Sequence, residues 1–206
     1  MVGRPARRLF VEGGGDDNEA LKTECRRGFR KLLEKAGLEG RMPRIVACGG
    51  RKAAYDQFCT SMNKAAADDV AVLLVDAEDK VTETSPWKHV EQREGDHWKK
   101  PGGATDDDLH LMIECMESWF LADKEALAEF FGQGFREASL PANPKVEEIS
   151  KSDIYNGLRS ASKNTQKGAY GKGSHSFKVL ALVDPAKVRE AAPSADRLFE
   201  HLDKVF

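Results

Sequence analysis

The stretch Asp69–Asp79, DVAVLLVDAED, limits the folds open to this 206-residue chain more than any other feature. Val70 to Val75 is an unbroken apolar run that ends in three acids within four positions, Asp76, Glu78 and Asp79. A short run of this kind, flanked by polar residues, reads as a strand buried on both faces of a parallel sheet. Its carboxyl end is the edge at which open α/β sheets bind their ligands. On an extended backbone Asp76 and Glu78 point the same way. Carboxylates placed side by side raise each other's pKa unless a cation lies between them. Hard cations such as Mg²⁺ take oxygen ligands of this type. A solvated acidic turn after a strand accounts for the same residues equally well.

A second acid-ended strand shifts the balance. Arg8-Leu-Phe-Val-Glu12 runs into Gly13-Gly14-Gly15-Asp16-Asp17 and then a helical pattern from about Asn18. The glycines permit a tight strand-to-helix turn. A third strand, Arg44–Cys48, leads through Gly49-Gly50-Arg51-Lys52 into a helix that reaches about Ala66. The order β-α-β-α-β predicts a parallel sheet, and a doubly wound one brings the ends of the Glu12 and Asp76 strands to one edge. Glu12, Asp76 and Glu78 then converge on a single metal. Arg51, with Lys52 beside it, offers a fork suited to phosphate at a helix start. An ordinary turn with a surface arginine fits that local pattern slightly better.

From Lys80 to Asp108 periodicity disappears, which predicts a long loop carrying Trp87 and Trp98. A strand over Leu109–Ile113 follows, then a helix from Met116, continued by Lys124–Phe131 and closed at Gly132. Glu114 and Glu117 lie in this apolar context, and a buried carboxylate needs a partner or a route to solvent. Residues 135–150 read as loop, and Ser152–Ala161 as a short helix capped by Ser152 or Asp153. Lys163–Lys178 is a flexible glycine-rich stretch holding Lys167, Lys172, His175 and Lys178, the best local basic patch. It lacks the spacing of a Walker loop. The end of the chain reads as helical turns broken at Pro185 and Pro193. The expected fold is α/β, with a mostly parallel central sheet of about four strands flanked by helices. Residues 1–134 form its core, and 135–206 a helical C-terminal extension on the same domain.

The net charge of −2, from 32 basic and 34 acidic residues, supplies no global field for nucleic acid. Cys25, Cys48, Cys59 and Cys115 form no CxxC pair and read as reduced thiols. With no apolar leader and no run of membrane length, a soluble cytoplasmic protein is expected.

Several stretches, taken together and in order, resemble a known family. They are Leu9-Phe-Val-Glu-Gly13, Cys48-Gly-Gly-Arg51, Val75-Asp-Ala-Glu-Asp79, the block HLMIECMESWFLAD from His110 to Asp123, and Tyr170-Gly-Lys-Gly-Ser-His-Ser-Phe177. They resemble a bacterial family of Toprim-like proteins related to the RloB-like and OLD-type Toprim proteins. The resemblance implies a Toprim-like fold, a Mg²⁺ or Mn²⁺ site, and phosphodiester cleavage. By position the Toprim glutamate falls on Glu12 and the first aspartate of its Asp-x-Asp pair on Asp76. The second aspartate is replaced by Glu78, with Asp79 just beyond it. Asp16 and Glu117 are candidate carboxylates behind these ligands. Arg51, Lys52, Lys172 and His175 are candidate phosphate or nucleic-acid contacts.

The resemblance further implies a nuclease effector of phage defence. It would act on nucleic acid (DNA ahead of RNA) with an ATPase partner encoded nearby, and leaves room for a homodimer. Two other readings stand beside it. One is a non-catalytic module that regulates the ATPase, favoured by the Asp-to-Glu departure and the absence of a basic stripe. The other is a metal-dependent enzyme acting on a nucleotide or small phosphate ester.

Overall fold

The computed structural model describes residues 5–15 and 17–206. Four strands form one sheet: β1 (Arg7–Val11), β2 (Arg44–Ala47), β3 (Val70–Asp76) and β4 (Leu109–Met112). Every pairing is parallel, and the order is β2-β1-β3-β4. Helix α1 (Glu19–Leu33) carries the chain from β1 to β2, and α2 (Arg51–Met62) carries it from β2 back across β1 to β3. The winding direction therefore reverses between β1 and β3, the place where doubly wound sheets open a crevice for ligands.

Alternation along the strands divides the core in two. Leu9, Val11, Val72 and Leu74 face one layer, with Cys25, Phe29 and Leu32 of α1. Phe10, Ala71, Leu73 and Val75 face the other, with Ala54 and Phe58 of α2. A sheet covered on both sides explains why β3 reads as an unbroken apolar run rather than an alternating one. Among the described residues the further α-helices are α3 (Pro86–Gln92), α4 (Ser118–Ala122), α5 (Lys124–Phe131), α6 (Lys151–Ser162), α7 (Lys172–Leu180), α8 (Pro185–Ala191) and α9 (Pro193–Val205). Side chains of α6 to α9, among them Ile154, Phe177, Val188 and Leu202, share the core layer of β1 and α1. Among the described residues no helix is long and apolar enough to cross a membrane.

Four local expectations need correction. The segment 80–108 is not all loop: Pro86 starts α3, where its missing N–H and fixed φ are no handicap. Trp87 and Trp98 are buried there, and the Trp87 indole donates to the Thr105 carbonyl at 2.8 Å. Helix α6 is capped by Ser150, whose hydroxyl accepts from the Asp153 N–H at 3.1 Å, not by Ser152 or Asp153. The glycine-rich stretch becomes helical from Lys172, because Phe177, Val179 and Leu180 give α7 an apolar face to bury. Pro185 and Pro193, by contrast, open helices rather than merely breaking turns.

Candidate metal centre

Glu12 follows β1 directly and Asp76 ends β3, so parallel pairing of these neighbours sets the two acids side by side. The Asp76 N–H donates to Glu12 Oε2 at 3.1 Å, and the Glu12 N–H continues the ladder to the Leu74 carbonyl at 3.0 Å. Glu78 joins them, and carboxylate oxygens of Glu12, Asp76 and Glu78 all lie within 4.8 Å of one another. The route differs from simple strand alternation. Glu78 has φ 69°, a left-handed state that non-glycine residues seldom adopt, held by its N–H on the Glu114 carbonyl at 2.8 Å. Among the described residues no other group of three His, Cys, Asp or Glu donors draws so close.

The floor of the site is backbone. Gly13 and Gly49 exchange N–H to carbonyl bonds of 2.8 and 2.9 Å, which ties the first two strand–helix turns together. Gly13 has φ 136°, and a Cβ there would stand 2.8 Å from the Phe177 ring. Glycine is therefore required by conformation and by the close approach of α7. These turns, with Glu12, Asp76 and Lys172, line a cleft of about 250 Å³. A larger groove of about 890 Å³ lies elsewhere, beside α4, α5 and α8. Its charges are partly paired off, Lys187 with Glu125 at 2.6 Å and Lys145 with Glu148 at 3.1 Å.

Burial sets the electrostatics of the trio. Asp76 is 2% exposed; its Oδ1 accepts from the Met116 N–H at 2.8 Å and its Oδ2 faces the Lys172 ammonium at 3.3 Å. Desolvation lifts the Asp76 carboxyl to about 6, the Lys172 charge opposing and the Glu117 charge assisting. Glu12 is raised to about 7, by burial first and the Asp76 charge second, against the pull of Arg51. Lys172 is pushed down by burial, but the carboxylates of Asp76, Glu117 and Glu12 outweigh this and hold its ammonium above the ordinary lysine value. Glu117 itself is fully buried. Its Oε1 accepts from the Tyr170 hydroxyl at 2.8 Å, and its Oε2 is without a hydrogen-bond partner.

The other candidate residues are placed differently. Asp79 pairs with Arg93 at 2.9 Å and stands outside the trio. Asp16 lies outside the described residues. Arg51 reaches Glu12 Oε2 at 3.6 Å but is committed elsewhere: it forks onto Asp96 at 2.7 and 3.0 Å, donates to the Asp76 carbonyl, and stacks over Trp98 at 4.7 Å. Lys52 points to Asp56 on its own helix. His175 packs among Phe130, Phe131 and Tyr170, its Nδ1 accepting from the Gly171 N–H at 3.1 Å. His89 braces the acidic turn, its Nε2 3.0 Å from the Ala77 carbonyl.

Two residues were missed at the level of sequence: Lys151, whose ammonium lies 2.5 Å from Glu78 Oε2, and Asp96, the partner of Arg51. Neither stands in a motif, and both meet their partners across long stretches of chain. The cysteines are all free, and burial pushes the thiols up, Cys48 to about 12, which removes them as nucleophiles.

Carboxylates in this grouping fit a hard divalent cation in size and donor type. A family model described as a domain of unknown function, DUF4276, matches residues 11–203, and the chain belongs to that family. No curated protein and no solved structure matches it.

Proposed function

We propose that this chain is a Mg²⁺- or Mn²⁺-dependent phosphodiesterase of Toprim type that cleaves nucleic acid. The observation that carries the reading is the convergence of Glu12, Asp76 and Glu78 within 4.8 Å at the carboxyl ends of adjacent parallel strands. The unpartnered oxygen of buried Glu117 adds uncompensated acceptor capacity close enough to act on Asp76. When bound, the ion supplies Lewis-acid polarisation of a phosphoryl oxygen and acidifies a water molecule.

The chain's own residues do the rest. Asp76 and Glu78 would hold the ion, with Asp76 fixed by the Met116 N–H. Glu12 would join them as the third carboxylate; without metal, burial and the Asp76 charge raise it to about 7, so metal binding has to displace its proton. Lys172 brings a permanent positive charge to the phosphate side of the cleft. Glycines 13–15 keep side chains out of the space a phosphate needs. An effector role beside an ATPase, in phage defence, belongs to the same proposal and rests on the sequence resemblance.

Incubation with plasmid, single-stranded DNA and RNA in Mg²⁺ or Mn²⁺ tests the reading. Strand scission is expected from the natural chain, and loss of it from Glu12→Gln and Asp76→Asn. The near-neutral charge of −2 favours a second reading, a non-catalytic module bound to the ATPase. Binding to that partner with no scission by any metal-loaded form would select it.

A further inference from the structure

Lys151 stands in the site without a role in the chemistry above. It opens α6, and its ammonium lies 2.5 Å from Glu78 Oε2, with the two side chains 26% and 25% exposed. Both members of the pair are clamped by Glu114. The Lys151 N–H donates to Glu114 Oε2 at 2.8 Å, and the Glu114 carbonyl accepts from the Glu78 N–H at 2.8 Å. The left-handed backbone of Glu78, φ 69°, is a conformation that persists only where its surroundings impose it. Lys172, which opens α7, stands in the same relation to Asp76, at 3.3 Å.

The trio thus faces two ammonium groups, each carried into the sheet edge by a helix of the C-terminal part. Three carboxylates against two lysines leave an excess of negative charge, since Arg51 is offset by Asp96 and Glu117 adds a further carboxylate. One divalent ion removes that excess. A site that is net negative without metal repels a phosphate, and metal lifts the repulsion.

Resting on the metal reading above, we propose that Lys151 and Lys172 are tethered counter-ions which the divalent cation displaces, and that Lys151, once released from Glu78, contacts the phosphate oxygens of the substrate. Metal and anion then bind in that order, because the ammonium groups cannot serve both. Lys151 opposes the metal and assists the anion. A residue that merely holds the fold together would weaken both when removed.

The test is Mn²⁺ titration calorimetry on the whole chain at pH 8, with Lys151→Met and Lys151→Arg beside the natural protein. Lys151→Met keeps the apolar stem; losing one charge-assisted bond that competes with the metal predicts roughly tenfold tighter Mn²⁺ binding. Lys151→Arg keeps the charge and should stay close to the natural affinity. Inorganic phosphate should raise the Tm of the natural chain only when Mg²⁺ is present, and Lys151→Met should lose that gain. Unchanged or weaker Mn²⁺ binding by Lys151→Met overturns the proposal, as does equal stabilisation by phosphate without metal. Should Lys151→Met fail to fold, Lys151→Gln takes its place with the same expected direction. If the natural chain takes up no Mn²⁺, the metal reading falls and this inference with it. If the natural chain binds but the variant gains nothing, this inference alone falls.

Discussion

Arg51 and Lys172 flank the same acidic trio, yet they are cations of different kinds. Arg51 is 12% exposed, and its guanidinium is shared among Asp96, the Asp76 carbonyl and the face of Trp98. Lys172 is 52% exposed and holds Asp76 through a single ammonium contact at 3.3 Å. A planar fork whose donors are already satisfied is a structural strut. An ammonium on a flexible stem, half in water, can leave its carboxylate when something better arrives. Proximity to the carboxylates therefore does not identify a phosphate contact; the number of prior commitments does.

The largest expected effect breaks the strut. Asp96→Ala strands the Arg51 charge in a dry setting, where loss of one partner of a buried pair costs about 3 kcal/mol. Urea unfolding measures it, and a loss below about 1 kcal/mol would remove the distinction drawn between the two cations. Next comes relief of the trio itself. Asp76→Asn removes a carboxylate held in an unfavourable setting, so without metal at pH 8 the variant should be more stable by roughly 2 kcal/mol. Lower thermal stability of Asp76→Asn than of the natural chain would count against it.

The pH dependence sharpens the same point. Glu12 and Asp76 move from 4.5 and 3.8 up to about 7 and about 6 on folding, so the native state holds their protons more tightly than the unfolded chain. Their contribution is most stabilising below the unfolded values and is lost as pH rises through the folded ones. In metal-free buffer these two groups should make the Tm fall between about pH 4.5 and pH 7, and added Mn²⁺ should offset that fall increasingly as pH rises. A metal-induced gain that is the same at pH 5 and pH 8 would contradict the assignment. The smallest effect falls on the mobile cation: Lys172→Met should change stability by less than about 1 kcal/mol, since Asp76 is buried but the ammonium that faces it is half in water and screened there. A larger loss by urea unfolding would make Lys172 a strut like Arg51.

Much of the sheet was legible because β1 and β3 are short apolar runs that stop at acids, and a sheet covered on both faces demands such runs. The trio was legible for the same reason: strand ends fix where Glu12 and Asp76 emerge. Glu78 was found through the wrong geometry, since its backbone is left-handed rather than extended. Asp79, Lys52 and His175 misled because adjacency in sequence says nothing about direction; they turn to Arg93, Asp56 and an aromatic cluster. Lys151 and Asp96 were hidden because their partners lie 73 and 45 positions away, a separation that no local period encodes. Helix α3 was also within reach, because Ser85-Pro86 is a helix-start signal that the surrounding polar residues obscured.

The most direct measurement is Mn²⁺ binding to the natural chain and to Asp76→Asn at pH 8, followed by titration calorimetry. Saturable uptake by the natural chain, and its loss in Asp76→Asn, is the predicted result. No saturable uptake, or equal uptake by the variant, would show that Glu12, Asp76 and Glu78 do not form a metal centre.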